Sequence, residues 1–383
     1  MFLKNNYNLL ASAMEIDVQK AQVIQAKLYP NPILTADINA YDPEHKKPLH
    51  VDGTGQKSFQ FEQLIVLGGK RMAQIEMAKT NVQIAELEFQ DLLRHLKYQL
   101  HTSMYNLSQQ VLLLHKYNTQ LGLLDTILTA YDVQVKKGNI PLKDVVRLKG
   151  VYMNLNNNRA EVFKLYYDEL ARVQTIIQTS KVVMPLITDE DIATMVKSLN
   201  LEDLNALALQ NRPDYLIVEQ NKSLAIQYLD YQKRMATPDM NLITSYDQRG
   251  GAFRNQFNFG ISMPLPLWNR NQGNIRSAEY SIRQMEYQVE NMKMILLTEV
   301  QGYFLQYKQT VLEYKKTIKL YNNDFEITLK GMSDNFQKGN VSLIEFVDFF
   351  EGYNNSLSEI ARIKIQLATS AEQLNLSTGK EIF

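Results

Sequence analysis

The hexapeptide KGNIPL at residues 137–142 recurs 201 positions later as KGNVSL at residues 338–343. The shared glycine indicates the same tight turn at both places, because glycine readily adopts the positive φ angle with which many helices end. Two copies of one turn at such a separation indicate an internal duplication of the 383-residue chain.

Other segments align at nearly the same offset. QLIVL at residues 63–67 aligns with PLPLW at residues 264–268, while Pro30 aligns with Pro238 at an offset of 208. The difference between the two offsets places a longer surface loop in the first copy. We therefore predict repeat 1 at 1–179, an equatorial linker segment at 180–210 and repeat 2 at 211–383.

Each copy is predicted to consist of a helix, a β-hairpin, a long helix, a tight turn and a return helix. After its first helix, repeat 1 has a hairpin at about 33–64, a long helix at 70–136, a turn at 137–141 and a return helix at 142–178. Repeat 2 has a hairpin at about 240–264, a long helix at 274–337, a turn at 338–342, a return helix at 343–374 and a C-terminal tail.

The long helices carry apolar residues at strict seven-residue spacing, which is typical of a coiled coil. These positions are Leu93, Leu100, Leu107, Leu114, Leu121 and Leu128, and then Leu297, Phe304, Val311, Ile318, Phe325 and Met332. A helix over 70–136 would be ~100 Å long at 1.5 Å per residue. Few turns are then needed, in keeping with only 16 Gly and 10 Pro.

The four hairpin segments alternate apolar and polar residues over roughly nine positions, as Phe257, Phe259 and Ile261 show. This pattern is typical of transmembrane barrel strands, although two soluble hairpins packed on a core would also show it. Four strands cannot close a barrel, and lipid excludes open strand edges. A membrane location therefore requires several chains, and three chains would supply twelve strands.

Composition excludes several classes of protein. Lys and Arg together number 41, as do Asp and Glu, so the net charge is zero and a nucleic-acid partner is not expected. Hydropathy alone indicates a soluble protein, since no apolar run approaches ~18 residues. Cysteine is absent, which excludes disulfides and thiolate ligands. We find no nucleophile, phosphate-binding or metal motif, and we expect neither an enzyme nor a cofactor.

The N-terminal segment lacks the features of a secretory signal peptide. Repeat 2 starts near Asn211, and the matching start of repeat 1 near Leu3 leaves no room for a leader. We therefore expect the native N-terminus, with any signal peptide or lipid anchor, to be missing from this chain.

The order of these elements resembles that of the TolC-type outer-membrane efflux proteins over the whole chain. Three strings carry the resemblance: PNP at 30–32, LGGKR at 67–71 and PLPLWNRN at 264–271. The LGGKR string is especially similar to members that work with heavy-metal cation pumps of the RND type.

The resemblance implies an α+β membrane protein, mostly long α-helical coiled coil with four β-strands per chain. Three chains would form a homotrimer with a 12-stranded β-barrel in the outer membrane lipid and an α-helical tunnel in the periplasm. This is the exit duct of a tripartite pump for metal cations or drugs, with a periplasmic adaptor (membrane fusion) protein and an inner-membrane RND-type transporter as partners. An outer-membrane channel for polypeptide secretion and a soluble coiled-coil scaffold are the alternatives.

The resemblance also implies that the turns between the long helices and the return helices contact the adaptor. The predicted contact residues are Gly138, Asn139, Ile140, Leu142, Gly339, Asn340, Val341 and Leu343. Alternatively, the two turns are alike only because both must reverse a helix.

Carboxylates follow the second turn, where the family carries acidic residues. Glu345 and Asp348 lie three residues apart on one helix face, and in a trimer each would form a ring that selects cations and gates the pore. Candidates for pairing with them are Lys143, Asp144, Arg147 and Glu351. The alternatives are that Glu345 only caps its helix, in a capping box with Ser342, and that Asp348 is only solvated.

Two further features have simpler explanations. Trp268 is predicted to anchor the barrel rim at the membrane interface, or else to pack where strand turns to helix. The histidines form no recognised ligand motif, so we predict ordinary solvated side chains, including His45 and His50 in the longer hairpin loop, and no metal site.

Overall fold

The protein was examined as a computed structural model that describes residues 2–250, 252–321 and 324–383. The helices are α1 (Phe2–Asn5), α2 (Tyr7–Lys27), α3 (Lys70–Lys136), α4 (Leu142–Ile177), α5 (Asp189–Ala193), α6 (Leu201–Asn211), α7 (Pro213–Met235), α8 (Gln272–Leu320), α9 (Asp324–Gln337) and α10 (Leu343–Thr378). The strands are β1 (Ile33–Ile38), β2 (Tyr41–Asp42), β3 (Lys47–Pro48), β4 (Gln56–Ile65), β5 (Met240–Arg249) and β6 (Phe253–Ser262). None of the described helices combines the length and apolar content needed to cross a membrane.

The backbone contacts divide the chain into two compact units. The helical unit comprises Met1–Ala11, Phe89–Leu216 and Lys293–Phe383, and the sheet unit comprises Ser12–Glu88 and Ile217–Met292. Each unit combines segments of both predicted repeats. The repeat boundaries at 179 and 211 therefore remain a prediction about the sequence, whereas the packing follows a different division.

The sheet unit contains the four predicted strands in the order β1-β4-β5-β6, with every neighbouring pair antiparallel. The longest pairing joins β4 and β5, from Gln56 opposite Arg249 to Ile65 opposite Met240. β1 has 6 residues, fewer than the nine expected, because the chain turns after it into the small β2–β3 hairpin. That hairpin accounts for the longer loop of the first copy.

The LGGKR string forms the junction between β4 and α3. Gly68 has a φ of +70°, and a Cβ there would lie 2.9 Å from the Thr237 side chain. Lys70 is buried, with its Nζ 2.8 Å from Asp239 Oδ1, and the same oxygen accepts the Leu67 N–H at 2.9 Å. A lysine excluded from water requires such a partner. The string therefore has a structural role in connecting the strand to the helix.

The helical unit is held by an apolar core shared by α3, α4, α9 and α10. Leu124, Leu148, Phe346 and Phe350 are fully buried in it. The rings of Phe336 and Phe346 stack with centroids 4.4 Å apart. The four helices that carry the two predicted turns thus pack together close to those turns.

The seven-residue rows are only partly the buried ones. Leu107, Leu114 and Leu121 of the first row are buried as expected, but in the second copy the neighbouring row of Val300, Tyr307 and Tyr314 is buried instead. In the row that the sequence predicted for the second copy, Val311 is the only buried residue. A straight helix drifts by ~20° per heptad relative to a strict seven-residue repeat, so adjacent rows share the buried face.

Two predicted helix boundaries are wrong. The helix expected over 274–337 stops at Leu320, and Tyr321 lies outside any helix before α9 begins; the part of that prediction at residues 322 and 323 lies outside the described residues. The return helix expected to end at residue 374 continues to Thr378. The buried Thr378 hydroxyl donates to the Leu374 carbonyl at 2.8 Å, and Gly379 ends the helix with a φ of 70°.

Candidate functional site

One face of the four-stranded sheet is apolar and the other is polar. The side chains of Leu34, Phe257 and Phe259 are 71%, 75% and 70% exposed on the apolar face. Apolar rows across the strands are Leu34–Phe61–Thr244–Phe259 and Ala36–Phe59–Tyr246–Phe257. Polar rows are Thr35–Gln60–Ser245–Asn258 and Asp37–Ser58–Asp247–Gln256. An exposed aromatic patch of this kind marks a surface that meets an apolar partner.

The sheet has two open edges within the part of the chain that is described. β1 pairs only with β4, and β6 pairs only with β5. Since every step across the sheet is antiparallel, β1 and β6 run in opposite directions. The two edges could therefore continue an antiparallel sheet by pairing with copies of each other.

The two predicted turns of the helical unit have the same backbone geometry. Gly138 and Gly339 have φ angles of 78° and 77°. The Gly138 and Asn139 N–H groups donate to carbonyls one and two residues before the end of α3, at 2.9 and 3.0 Å, and Gly339 and Asn340 do the same after α9 at 3.0 and 2.9 Å. This is a Schellman motif in each copy, so the shared sequence has a common structural cause.

The side chains at the two turns differ in exposure. Leu142 is 66% exposed, whereas Val341 and Leu343 pack against the core of the helical unit. Gly138, Asn139, Gly339 and Asn340 are exposed and Ile140 is half-buried. The exposed members of the predicted contact set are therefore two glycines, two asparagines and Leu142.

Glu345 caps α10, as the first alternative predicts. Its Oε2 accepts the Ser342 N–H at 2.9 Å and the Ser342 hydroxyl at 2.7 Å, while the Glu345 N–H donates to Ser342 Oγ at 3.3 Å. These hydrogen bonds from Ser342 hold the pKa of the Glu345 carboxyl below its usual range. The side chain is nevertheless exposed, so capping leaves its charge open to solvent.

Asp348 lies one turn further along α10 and faces α4. Its Oδ1 is 3.8 Å from Arg147 Nη2, and the two side chains are 69% and 46% exposed. Of the four predicted pairing candidates, Arg147 thus lies beside one of the two carboxylates predicted to form the gate. Lys143 and Glu351 are exposed, and Asp144 is half-buried in the first turn of α4.

Trp268 does not pack at the strand-to-helix junction, since its side chain is 85% exposed. It lies in the loop between β6 and α8, where its carbonyl accepts a hydrogen bond from the Gln272 side chain at 3.0 Å. The packing alternative is therefore wrong for this chain, and the role as an interface anchor stays a prediction.

The prediction of solvated histidines is wrong for His50, which is 2% exposed. The β2–β3 hairpin brings it beside Asp42 and His45, so that ligand atoms of all three lie within 4.8 Å of one another. The spacing D-x2-H-x4-H has no regular helical period, and only the fold of the hairpin reveals the cluster.

Comparison with known proteins identifies the class to which this fold belongs. Residues 204–380 match the family described as Outer membrane efflux protein. Cobalt-zinc-cadmium resistance protein CzcC from Cupriavidus metallidurans is 23% identical over 293 residues, covering 74% of this chain and 64% of that relative.

Solved structures share the fold over almost the whole chain. A crystal structure of CusC has a TM-score of 0.77 at 16% identity, with 99% of this chain and 90% of that chain covered. The Campylobacter jejuni CmeC outer membrane channel has a TM-score of 0.75 at 13% identity, with 100% and 85% covered.

The second half of this chain therefore matches the Outer membrane efflux protein family, and almost the whole chain shares the fold of these solved outer-membrane proteins. The predicted resemblance to TolC-type efflux proteins is confirmed, and with it the outer-membrane location. The soluble scaffold is thereby set aside.

The capping box predicts a pH-dependent effect of replacing Ser342 with Ala. A carboxyl whose pKa is lower in the folded than in the unfolded chain stabilises the fold above its unfolded pKa, and this stability is lost as the pH falls through its folded pKa. The Ser342→Ala variant should therefore unfold at a lower temperature than the wild type at pH 7. The difference should shrink once the pH falls below about 4.

Thermal unfolding followed by circular dichroism between pH 7 and pH 3 measures this difference. The matched control is Ser356→Ala in the same helix, where the hydroxyl donates to the Gly352 carbonyl at 2.9 Å. An unfolding temperature that is lowered equally at both ends of the pH range would show that the Glu345 carboxylate takes no part in the cap.

Proposed function

We propose that this chain is one of three identical protomers of an outer-membrane exit duct for metal cations. The observation that carries the proposal is the four-stranded sheet with two unpaired edges and one exposed aromatic face. In lipid the apolar face would be buried and the edges would have to be paired, because no water is available to their backbone groups. Pairing β1 of each chain with β6 of the next satisfies both requirements, and three chains close a 12-stranded barrel.

The polar face of the same sheet supports a water-filled interior. Rows of Thr, Gln, Ser, Asn and Asp side chains would line the inside of such a barrel. Transmembrane barrels that serve as channels have this distribution, with apolar residues outside and polar residues inside.

The paired turns are proposed to receive a periplasmic adaptor protein, which would connect the duct to an inner-membrane RND-type transporter. Both turns expose glycine and asparagine in matching Schellman geometry, so a trimer would present six similar surfaces. Leu142 adds an apolar contact to three of them.

The carboxylates of Glu345 and Asp348 are proposed to form the cation-selective gate. Both are exposed, and the residues between them point the other way, since Phe346 and Val347 are buried in the core of the helical unit. Three copies of each would concentrate negative charge where the duct narrows. The exposed Arg147–Asp348 pair is worth about 0–1 kcal/mol, weak enough to break when the gate opens.

Neutralising the gate should reduce its preference for cations. In the double variant Glu345→Gln with Asp348→Asn, the ratio of cation to anion permeability in planar bilayers should fall several-fold, and block by trivalent cations should weaken. Glutamine keeps an oxygen for the Ser342 cap, so the fold is retained.

The matched control for the gate is Asp132→Asn, because Asp132 is also close to a turn and pairs with Lys149 at 3.6 Å with similar exposure. Arg147→Gln removes the partner of Asp348 but keeps both carboxylates, so it should lengthen channel openings without lowering the preference for cations. Permeability ratios that are the same in the double variant and the wild type would remove Glu345 and Asp348 from the gate.

Metal cations are proposed as the substrate, on the basis of the similarity to CzcC and of the acidic gate. A strain lacking this chain should tolerate several-fold less zinc, cobalt or cadmium, with little change in its tolerance to organic drugs. Growth of the deletion strain and of a strain complemented with the wild-type chain measures this. Sensitivity to drugs without sensitivity to metals would assign a different substrate to the duct.

A further inference from the structure

The loop between β1 and β4 carries a cluster that the proposed duct does not use. Asp42 ends the short strand β2, His45 lies in the turn of the β2–β3 hairpin and His50 follows β3. His45 Nδ1 is 2.8 Å and His50 Nδ1 is 2.5 Å from the same oxygen, Asp42 Oδ2. The hairpin therefore directs three potential ligand atoms at one point.

His50 is held in a fixed orientation by its other nitrogen. Nε2 lies 3.0 Å from Asp52 Oδ1 and 3.0 Å from Thr54 Oγ1. Asp52 is itself fixed, because Oδ1 accepts the Thr54 N–H at 3.0 Å and the Thr54 hydroxyl at 2.8 Å. A buried imidazole held by a carboxylate on the side away from its ligand atom is the usual arrangement around protein-bound metals.

The hydrogen-bond inventory of this site requires a positive species between His50 and Asp42. An ionised carboxylate only accepts hydrogen bonds and a neutral imidazole carries one N–H, so in the tautomer that donates from Nε2 to Asp52 no proton is left for Nδ1. In a neutral imidazole Nδ1 is then a bare lone pair facing Asp42 Oδ2. Two lone pairs repel at this distance unless a second proton or a metal ion lies between them.

Asp42 is prepared to act as an anionic ligand. Its Oδ2 faces the Nδ1 atoms of His45 and His50 at 2.8 and 2.5 Å. Its other oxygen, Oδ1, accepts the N–H groups of Glu44 and His45 at 2.9 and 3.2 Å. The backbone of the turn therefore leaves Oδ2 as the free ligand atom.

We propose that Asp42 Oδ2, His45 Nδ1 and His50 Nδ1 bind one divalent transition-metal ion such as Zn²⁺ or Co²⁺, with water completing its coordination. Two imidazoles and one carboxylate suit these ions, whereas Mg²⁺ and Ca²⁺ prefer oxygen ligands alone. Ligand atoms around a tetrahedral ion with 2.0–2.1 Å bonds lie ~3.3 Å apart. Binding needs the two distances from Asp42 Oδ2, 2.8 Å to His45 Nδ1 and 2.5 Å to His50 Nδ1, to lengthen by about 0.5–1 Å.

The site goes beyond the proposed function and does not depend on it. All its residues belong to the sheet unit, and its occupancy can be measured without transport or an adaptor. A chain that fails as a duct can still bind the ion here, and a working duct can lack it.

Titration of the full-length chain with Co²⁺ and Zn²⁺ tests the site. One ion per chain should bind with micromolar or tighter affinity by calorimetry, Co²⁺ should give visible d–d absorption, and Mg²⁺ should not compete. His50→Gln and Asp42→Asn should each weaken binding at least tenfold. Asp52→Asn acts on a positioning residue and should weaken binding by about 10–100-fold.

Two further variants, both at exposed positions, test the site even if the substitutions at buried positions disturb the loop. His45→Gln changes an exposed side chain and should also lose the Co²⁺ spectrum. His95→Gln is the matched control, because His95 is exposed and its Nδ1 lies beside Asp91 of its own helix α3. This variant should bind the ion as the wild type does. Equal affinity in the wild type and in His45→Gln and His50→Gln would overturn the proposal and leave His50 as a protonated partner of two carboxylates.

Discussion

Unpaired backbone groups at the edges of a β-sheet are the constraint on which the proposed assembly depends. In water such an edge is tolerated, but in lipid each unpaired N–H or C=O costs several kcal/mol. β1 and β6 leave two such edges, and Phe257 and Phe259 place an aromatic surface between them. A single chain would expose this aromatic surface in water and leave its edges unpaired in lipid, and the proposed ring of chains would remove both costs.

In the helical unit the chain must reverse after each long helix while the last carbonyl groups of that helix keep hydrogen-bond partners. Gly138 and Gly339 do so at a positive φ that other residues reach only with strain. The core around Phe346 and Phe350 fixes the helices near these turns. As a result Glu345 and Asp348 face away from the core, and both carboxylates lie on the surface.

Much of this architecture could be predicted because it rests on local sequence patterns. Alternation of apolar and polar residues predicts the four strands, and the KGN turn with Ser342 and Glu345 predicts the end of one helix and the start of the next. The sequence could not predict the break after Leu320, since no proline or glycine marks it, nor the exchange of buried rows near Tyr307. The sequence does not reveal the cluster around His50, because it forms in the β2–β3 hairpin, whose strands have two residues each. Strands this short show no alternation of apolar and polar residues.

The absence of cysteine from the sequence allows a direct test of the pairing between chains. Within one chain Thr35 in β1 and Asn258 in β6 lie in the same polar row, three strand spacings or ~14 Å apart. That is too far for a disulfide, which needs Cα atoms within about 7 Å. Any disulfide between cysteines at these two positions must therefore join different chains.

The most direct measurement is oxidation of variants carrying Thr35→Cys together with Gln256→Cys, Asn258→Cys or Gly260→Cys, followed by denaturing electrophoresis. We predict that at least one pair gives covalent species that stop at three chains, whereas each single-cysteine variant stays monomeric. Monomers from every pair, or a ladder that continues beyond three chains, would contradict a closed trimeric barrel.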